Sequence, residues 1–180
     1  SKLFAEQAAL SRSSQSFPII SLNPSLLLGP GDLPDGQSTA SVRHFLDGDI
    51  PASPPGGLSF VDVRDVAEAV AAALTKGTAG KRYLLGGANM KFSDFYGRLA
   101  RISGKEAPLV TMPASTLKML RWLPKWKKIG STFGIDLSRE ELELACHTWY
   151  LDHSRATEEL GFAPRDPQLT LEDTVHDIQS

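Results

Sequence analysis

The sequence predicts an α/β fold, and three observations predict it. Short apolar runs of strand length alternate with longer segments of helix formers. Glycine and proline punctuate the boundaries, at residues 29–36 and 51–57 and at Gly77, Gly86, Gly87, Gly104, Pro113 and Gly161. At 41% hydrophobic and 22% charged, the chain has the balance of a folded core, which excludes disordered and membrane-embedded classes.

The elements follow in order. Residues 2–12 hold Leu3, Phe4, Ala5, Ala8, Ala9 and Leu10 without Gly or Pro, which predicts a helix with apolar residues on more than one face, packed on two sides. Residues 17–22 form an apolar run typical of a buried parallel strand, ended by Asn23-Pro24 because proline cannot donate to a ladder. After a Gly/Pro/Asp-rich loop, residues 38–46 predict a helix closed by Asp47-Gly48. Residues 58–61 read as a strand. Asp65 is positioned to cap a helix over residues 66–76, stopped by Gly77. Residues 81–85 read as a strand ending at Gly86-Gly87, and Ser93 or Asp94 opens a helix that stops at Gly104. Residues 109–112 predict a strand and 114–123 a helix closed by Pro124. Ser138 and Glu141 have capping-box spacing for a helix to His147. Residues 149–151 predict a strand, Asp152 or Ser154 a short helix ending at Gly161, and Thr170 the cap of the last helix. The strands at Phe17 and Arg82 look central yet have no evident neighbours, which marks an incomplete sheet.

Composition also bounds the chemistry. A net charge of -2 supplies no global field for nucleic acid. The lone Cys146 rules out an intrachain disulfide or a cysteine zinc cluster, suits a reducing, cytoplasmic setting, and reads as packing rather than a reactive thiol. His44, His147, His153 and His176 have no ligand spacing, so no metal site is expected, and His153 reads as a surface cap residue. No apolar run is long enough to span a membrane, and no signal peptide is visible.

Four stretches, LNPSLLLGPGD, FVDVRDVAEAV, RYLLGGAN and LDHSRATEELGFAPR, together with the opening Ser1-Lys2, resemble the second half of an extended short-chain dehydrogenase/reductase. This is the NAD-dependent epimerase/dehydratase family, and the likeness is to its dihydroflavonol-reductase-like and hopanoid-associated epimerase-like members. The resemblance implies the C-terminal part of a doubly wound NAD(P)-binding Rossmann-like domain plus a small α/β substrate lobe, with the N-terminal nucleotide-binding half absent. Residues 1–23 and 58–87 would be the last helices and strands of the nucleotide-binding domain, and residues 24–57 and 88–180 the substrate-binding lobe.

The family's acid/base motif is Tyr-x-x-x-Lys. Lys2 matches its lysine, and the tyrosine would fall three residues before Ser1; Tyr83, Tyr96 and Tyr150 stand at the wrong positions to replace it. By resemblance, Lys2 is catalytic and cofactor-binding, Pro24, Ser25 and Leu26 face the cofactor, NAD or NADP, and Asn23 faces a small-molecule substrate. The Gly-x-x-Gly-x-x-Gly phosphate loop is absent, and GPGDLPDG follows the wrong strand to replace it. The resemblance further implies a homodimer of the complete protein through the helix at residues 2–12.

Other residues read as structural. Asp65 caps its helix, and Arg64 or Asp62 ties the preceding turn by ion pairing. The basic, aromatic stretch LKMLRWLPKWKKIG, broken by Pro124, reads as a lobe helix with a solvated loop. In the family, this stretch belongs to the substrate lobe, where Met119, Trp122 and Trp126 would line an apolar pocket. The expected function is therefore a portion of an NAD(P)-dependent oxidoreductase, inactive as this isolated chain. The alternative within enzymes is a nucleotide-sugar epimerase or dehydratase fragment. The alternative of another class is a non-catalytic half-domain that binds a partner. Such a half-domain would blunt its open strands with charge or proline, and residues 17–22 carry only Pro18.

Overall fold

The computed structural model describes residues 2–33, 36, 38–113, 115 and 144–180. In chain order, the elements are α1 (Lys2–Leu10), β1 (Ser21–Pro24), β2 (Leu26–Leu28), α2 (Ala40–Asp47), β3 (Gly57–Asp62), α3 (Val63–Lys76), β4 (Arg82–Leu85), β5 (Ala88–Lys91), α4 (Phe92–Ser103), α5 (Ser154–Leu160) and α6 (Pro167–Gln179).

Two strands leave one sheet side by side and part around a third. β1 runs parallel to β4, from Ser21 opposite Arg82 to Pro24 opposite Leu85. Ser25 alone then separates β1 from β2, and Gly86 and Gly87 separate β4 from β5. β3 fills the opening between the diverging strands, with Phe60 opposite Leu26 of parallel β2 on one edge and Ala88 of antiparallel β5 on the other. The two glycines are required by this close approach. A Cβ on Gly87 would lie 2.4 Å from the Phe60 carbonyl oxygen, and one on Gly86 would lie 2.7 Å from Leu151 Cβ.

Strand alternation divides the core in two. Leu58 and Phe60 of β3 join Phe45, Phe95, Leu99 and Leu171 beneath α2, α4 and α6. Val61 turns the other way and joins Tyr83, Leu85, Ala69, Ala73 and Leu160 beneath α3 and α5. β3 is buried along its whole length because it contributes to both clusters.

Several expectations are corrected. The first strand lies at Ser21–Pro24, not residues 17–22; Phe17 is 64% exposed, and residues 13–19 close a turn in which Ser13 Oγ accepts from Ile19 N–H. Proline is tolerated because it takes the last position of a strand that, among the described residues, is hydrogen bonded on one side. β1 and β4, expected to lack neighbours, are neighbours of each other. β3 is hydrogen bonded to β2 and β5. β2 and β5 escaped notice because three or four residues carry too little periodicity. α1 buries no residue, against the expected two-sided packing.

Asp62, not Asp65, caps α3, accepting from Arg64 N–H, and Asp166, not Thr170, caps α6, accepting from Gln168 N–H. α4 begins at Phe92 with no side-chain cap. Residues 109–112 contribute only the bridge of Thr111 to Ser53, and residues 149–151 form no strand. Cys146 is half-buried. The helix predicted at residues 114–123 and most of that at 138–147 lie outside the described residues, as do Ser1, Met119, Trp122 and Trp126.

Candidate functional site

The carboxyl ends of β1 and β4 are where a parallel sheet presents ligand groups. α1 is seated across β1 by one polar anchor. Glu6 accepts from Ser21 Oγ and from Arg82 Nε, the latter at 2.8 Å. The Ser21 hydrogen bond, then those from Arg82, with a further one from Asn23, hold the Glu6 carboxyl below its ordinary range. Beyond the helix, Ser13 Oγ meets the backbone of Ile19, while Glu6 meets Ser21, so α1 and β1 run antiparallel. Lys2 precedes Glu6 by one turn on the same helix face, a rise of about 6 Å. Two residues along β1 from Ser21 cover about 7 Å. Lys2 is therefore level with Asn23 and Pro24, at the carboxyl end of β1, and is exposed.

Each residue predicted for the site can be placed. Asn23 is half-buried opposite Leu84 on the α1 face of β1, and its Oδ1 lies 3.1 Å from Ser21 Oγ. Pro24 is exposed opposite Leu85. The Ser25 N–H donates to Leu85 O at 3.1 Å. Leu26 opens β2 opposite Phe60.

After β2 the chain turns around Asp32, whose carboxylate accepts from Thr39 Oγ1 at 2.8 Å and from Leu33 N–H. The Thr39 hydrogen bond is the main reason the Asp32 carboxyl is held below its usual range. Beside it is a cavity of about 140 Å³ lined by Leu28, Gly29, Gly31, Asp32, Thr39 and Val63. The amides that a phosphate would need are already used: Gly29 N–H donates to Thr174 Oγ1 at 2.8 Å and Gly31 N–H to Asp177 Oδ2 at 2.9 Å. With a carboxylate at its centre, this loop does not fit a pyrophosphate.

Ionic contacts lock this region, and of them sequence reasoning anticipated only the pairing of Arg64 with Asp62. Arg64 pairs with Asp62 and reaches Asp173, both at 2.7 Å, while Arg165 pairs with buried Asp65 at 2.7 Å. Burial pushes the Asp62 carboxyl up, but hydrogen bonds from Arg64 and Thr170 and the charge of Arg165 outweigh it and leave the group below its ordinary range. The signal available in the sequence was the pair of arginines set among aspartates in FVDVRD and PRD, but only the fold brings them together. The ion pairing expected of Arg64 and Asp62 is present.

The remaining candidates lie elsewhere. Tyr83 donates its hydroxyl to Glu159, and Tyr96 is buried, its phenol pushed up to about 12 by desolvation. His153 takes the N-cap position of α5 without a side-chain cap bond, and its half-buried ring packs edge-on against Phe162. No group of three metal-ligating side chains occurs among the described residues.

A parallel strand pair with a helix seated across it, joined to a second small sheet, is the architecture of part of a doubly wound α/β fold. The model of the NAD dependent epimerase/dehydratase family matches residues 1–86. A Synechocystis sp. protein bearing the provisional name dihydroflavonol 4-reductase is 32% identical over 186 residues, covering 100% of this chain and 54% of that protein. The crystal structure of gox2253 is 31% identical with a TM-score of 0.79, over 97% of this chain and 53% of its own. A nucleoside-diphosphate-sugar epimerase from Pseudomonas aeruginosa shares the fold at 23% identity and a TM-score of 0.78, covering 99% of this chain and 53% of that one. The chain is similar to part of the NAD dependent epimerase/dehydratase family, the extended short-chain dehydrogenase/reductases, and spans about half the length of the relatives it matches.

Proposed function

We infer that this chain is the carboxyl-terminal part of an NAD(P)-dependent oxidoreductase that moves a hydride between nicotinamide and a carbonyl or alcohol carbon of a small molecule. One observation carries the reading: the antiparallel seating of α1, held by Glu6, brings Lys2 level with the carboxyl end of β1. The 32% identity to a reductase-named relative across the whole chain supports the same reaction class.

In this reading, NAD or NADP, held against Lys2, Pro24, Ser25 and Leu26, supplies or accepts the hydride. A tyrosine one turn before Lys2 in the complete protein holds the proton. The Lys2 ammonium favours its phenolate over a phenol of ordinary pKa about 10 and donates to hydroxyls nearby. Asn23, on the same face of β1, is assigned to the substrate side. α1 exposes Leu3 at 55% and Phe4 at 74%, which supports a homodimer in the complete protein. The setting we assign is cytoplasmic; no described helix is long and apolar enough to cross a membrane. A second reading, epimerase or dehydratase chemistry with a nucleotide sugar, is favoured by the family description itself.

The chain as given carries neither the tyrosine nor a phosphate loop, so we expect no activity from it alone. The test is NADH and NADPH fluorescence with this chain and with the complete polypeptide. Enhancement should appear only with the complete polypeptide, and tight binding by this chain alone would overturn the account. In the complete polypeptide, Lys2→Met should lower kcat at least 100-fold in carbonyl reduction, in line with the typical contribution of positioned acid/base groups.

A further inference from the structure

Away from the residues assigned to cofactor and substrate, the edge of β5 and one face of α4 border a cleft of about 690 Å³. Asp94, Gly97, Arg98 and Arg101 line it at the spacing of a single helix face, and Lys91 and Tyr150 add to the lining.

Two independent observations set this cleft apart. The first is charge. Arg64, Arg82, Arg165 and Lys81 are each engaged by carboxylates. Lys91, Arg98 and Arg101 make no hydrogen bond or ion pair among the described residues. Among the described residues, the cleft therefore holds three cations without an ion-pair partner, against the single carboxylate of Asp94. The second is Gly97. It lies in the interior of α4, where glycine is less favourable than alanine. Its φ is not positive, and a Cβ there would meet nothing within 4 Å. Neither the backbone nor the packing of the described fold demands glycine at this position. A bare helix backbone does, however, admit a ligand at close range.

We propose that this cleft binds a small hydroxylated oxyanion, a phosphate ester or a hydroxycarboxylate, laid against the α4 backbone at Gly97. Arg98, Arg101 and Lys91 take the oxyanion, the arginines by paired N–H donors. The Asp94 carboxylate only accepts, so it selects a ligand that also carries a hydroxyl donor. None of Lys2, Asn23, Pro24, Ser25 or Leu26 lines the cleft, so the site stands apart from the proposed reaction.

The experiment is an amide NMR titration of the protein with glycerol 3-phosphate in one arm and glycerate in the other, with sodium chloride at matched ionic strength as the reference. The expected result is saturable shifts at Gly97, Arg98 and Arg101 in one arm, which identifies the oxyanion. Arg98→Gln with Arg101→Gln should abolish them. Gly97→Ala keeps every charge and should weaken binding at least tenfold while raising the melting temperature. That variant decides the matter even if the double variant fails to fold. Linear shifts matching chloride in both arms overturn the proposal, as does unchanged affinity in Gly97→Ala.

Discussion

Thr174 is fully buried on α6, and its hydroxyl both accepts from Gly29 N–H at 2.8 Å and donates to the Thr170 carbonyl. Thr174→Val keeps the shape and strands the Gly29 donor, so a loss of about 1–3 kcal/mol is expected in urea denaturation. Thr174→Ser should recover most of it. Glu159 makes a pH-dependent contribution. It accepts from the Tyr83 hydroxyl first, then from Lys81, and its carboxyl is lowered from 4.5 to about 2. A depressed carboxyl stabilises the fold fully above its unfolded value, and that contribution is lost as pH falls from about 4.5 to about 2. Glu159→Gln should therefore flatten the acid limb of a stability–pH curve measured by urea midpoints. If the parent and variant curves ran parallel through that window, the assignment would be wrong.

At the scale of elements, α6 acts as a clamp. Its hydrogen bonds hold Gly29 and Gly31 after β2, and Asp173 holds Arg64 at the start of α3. Arg165, just ahead of α6, holds Asp65, whose side chain is 5% exposed. Arg165→Ala would leave that carboxylate buried and unpaired, at a cost of about 3 kcal/mol, the lower end for a broken buried pair because Arg165 is itself partly exposed. Thermal melts at neutral pH would register the loss, and Asp65→Asn in the same background should restore part of it. The β4–β5 turn is as demanding. Gly87→Ala places a methyl 2.4 Å from the Phe60 carbonyl oxygen, where only backbone movement relieves the clash. A loss of about 1–3 kcal/mol follows. Gly104, whose φ of 72° marks a helix stop, tolerates no such comparison because open space surrounds it and its strain is conformational.

For the whole molecule, the informative contrast lies between its two sheets. β3 is satisfied on both edges, by β2 and β5, whereas β1 pairs only with β4 among the described residues. The exposed apolar residues of α1 lie beside that one-sided pair. A chain spanning about half the length of its relatives carries both features, and the NADH and NADPH comparison described above addresses what they mean at this scale.

Much of this was legible before any coordinates. FVDVRDVA, RYLLGG and the Asn-Pro after an apolar run identified the family, and Gly77, Gly104 and Gly161 marked helix ends, because backbone conformation and terminator chemistry are local. Lys2 was legible only through the resemblance. The cap of α3 was misplaced by three residues because Asp62 and Asp65 are equally good caps in isolation. The tertiary structure decided between them by giving Asp65 to Arg165, 100 residues away. The same holds for the pairing of β1 with β4, the wedge of β3 between β2 and β5, and the level of Lys2 along β1. Each depends on contacts between residues far apart in the chain, and a sequence carries the periodicity of an element without the address of its partner.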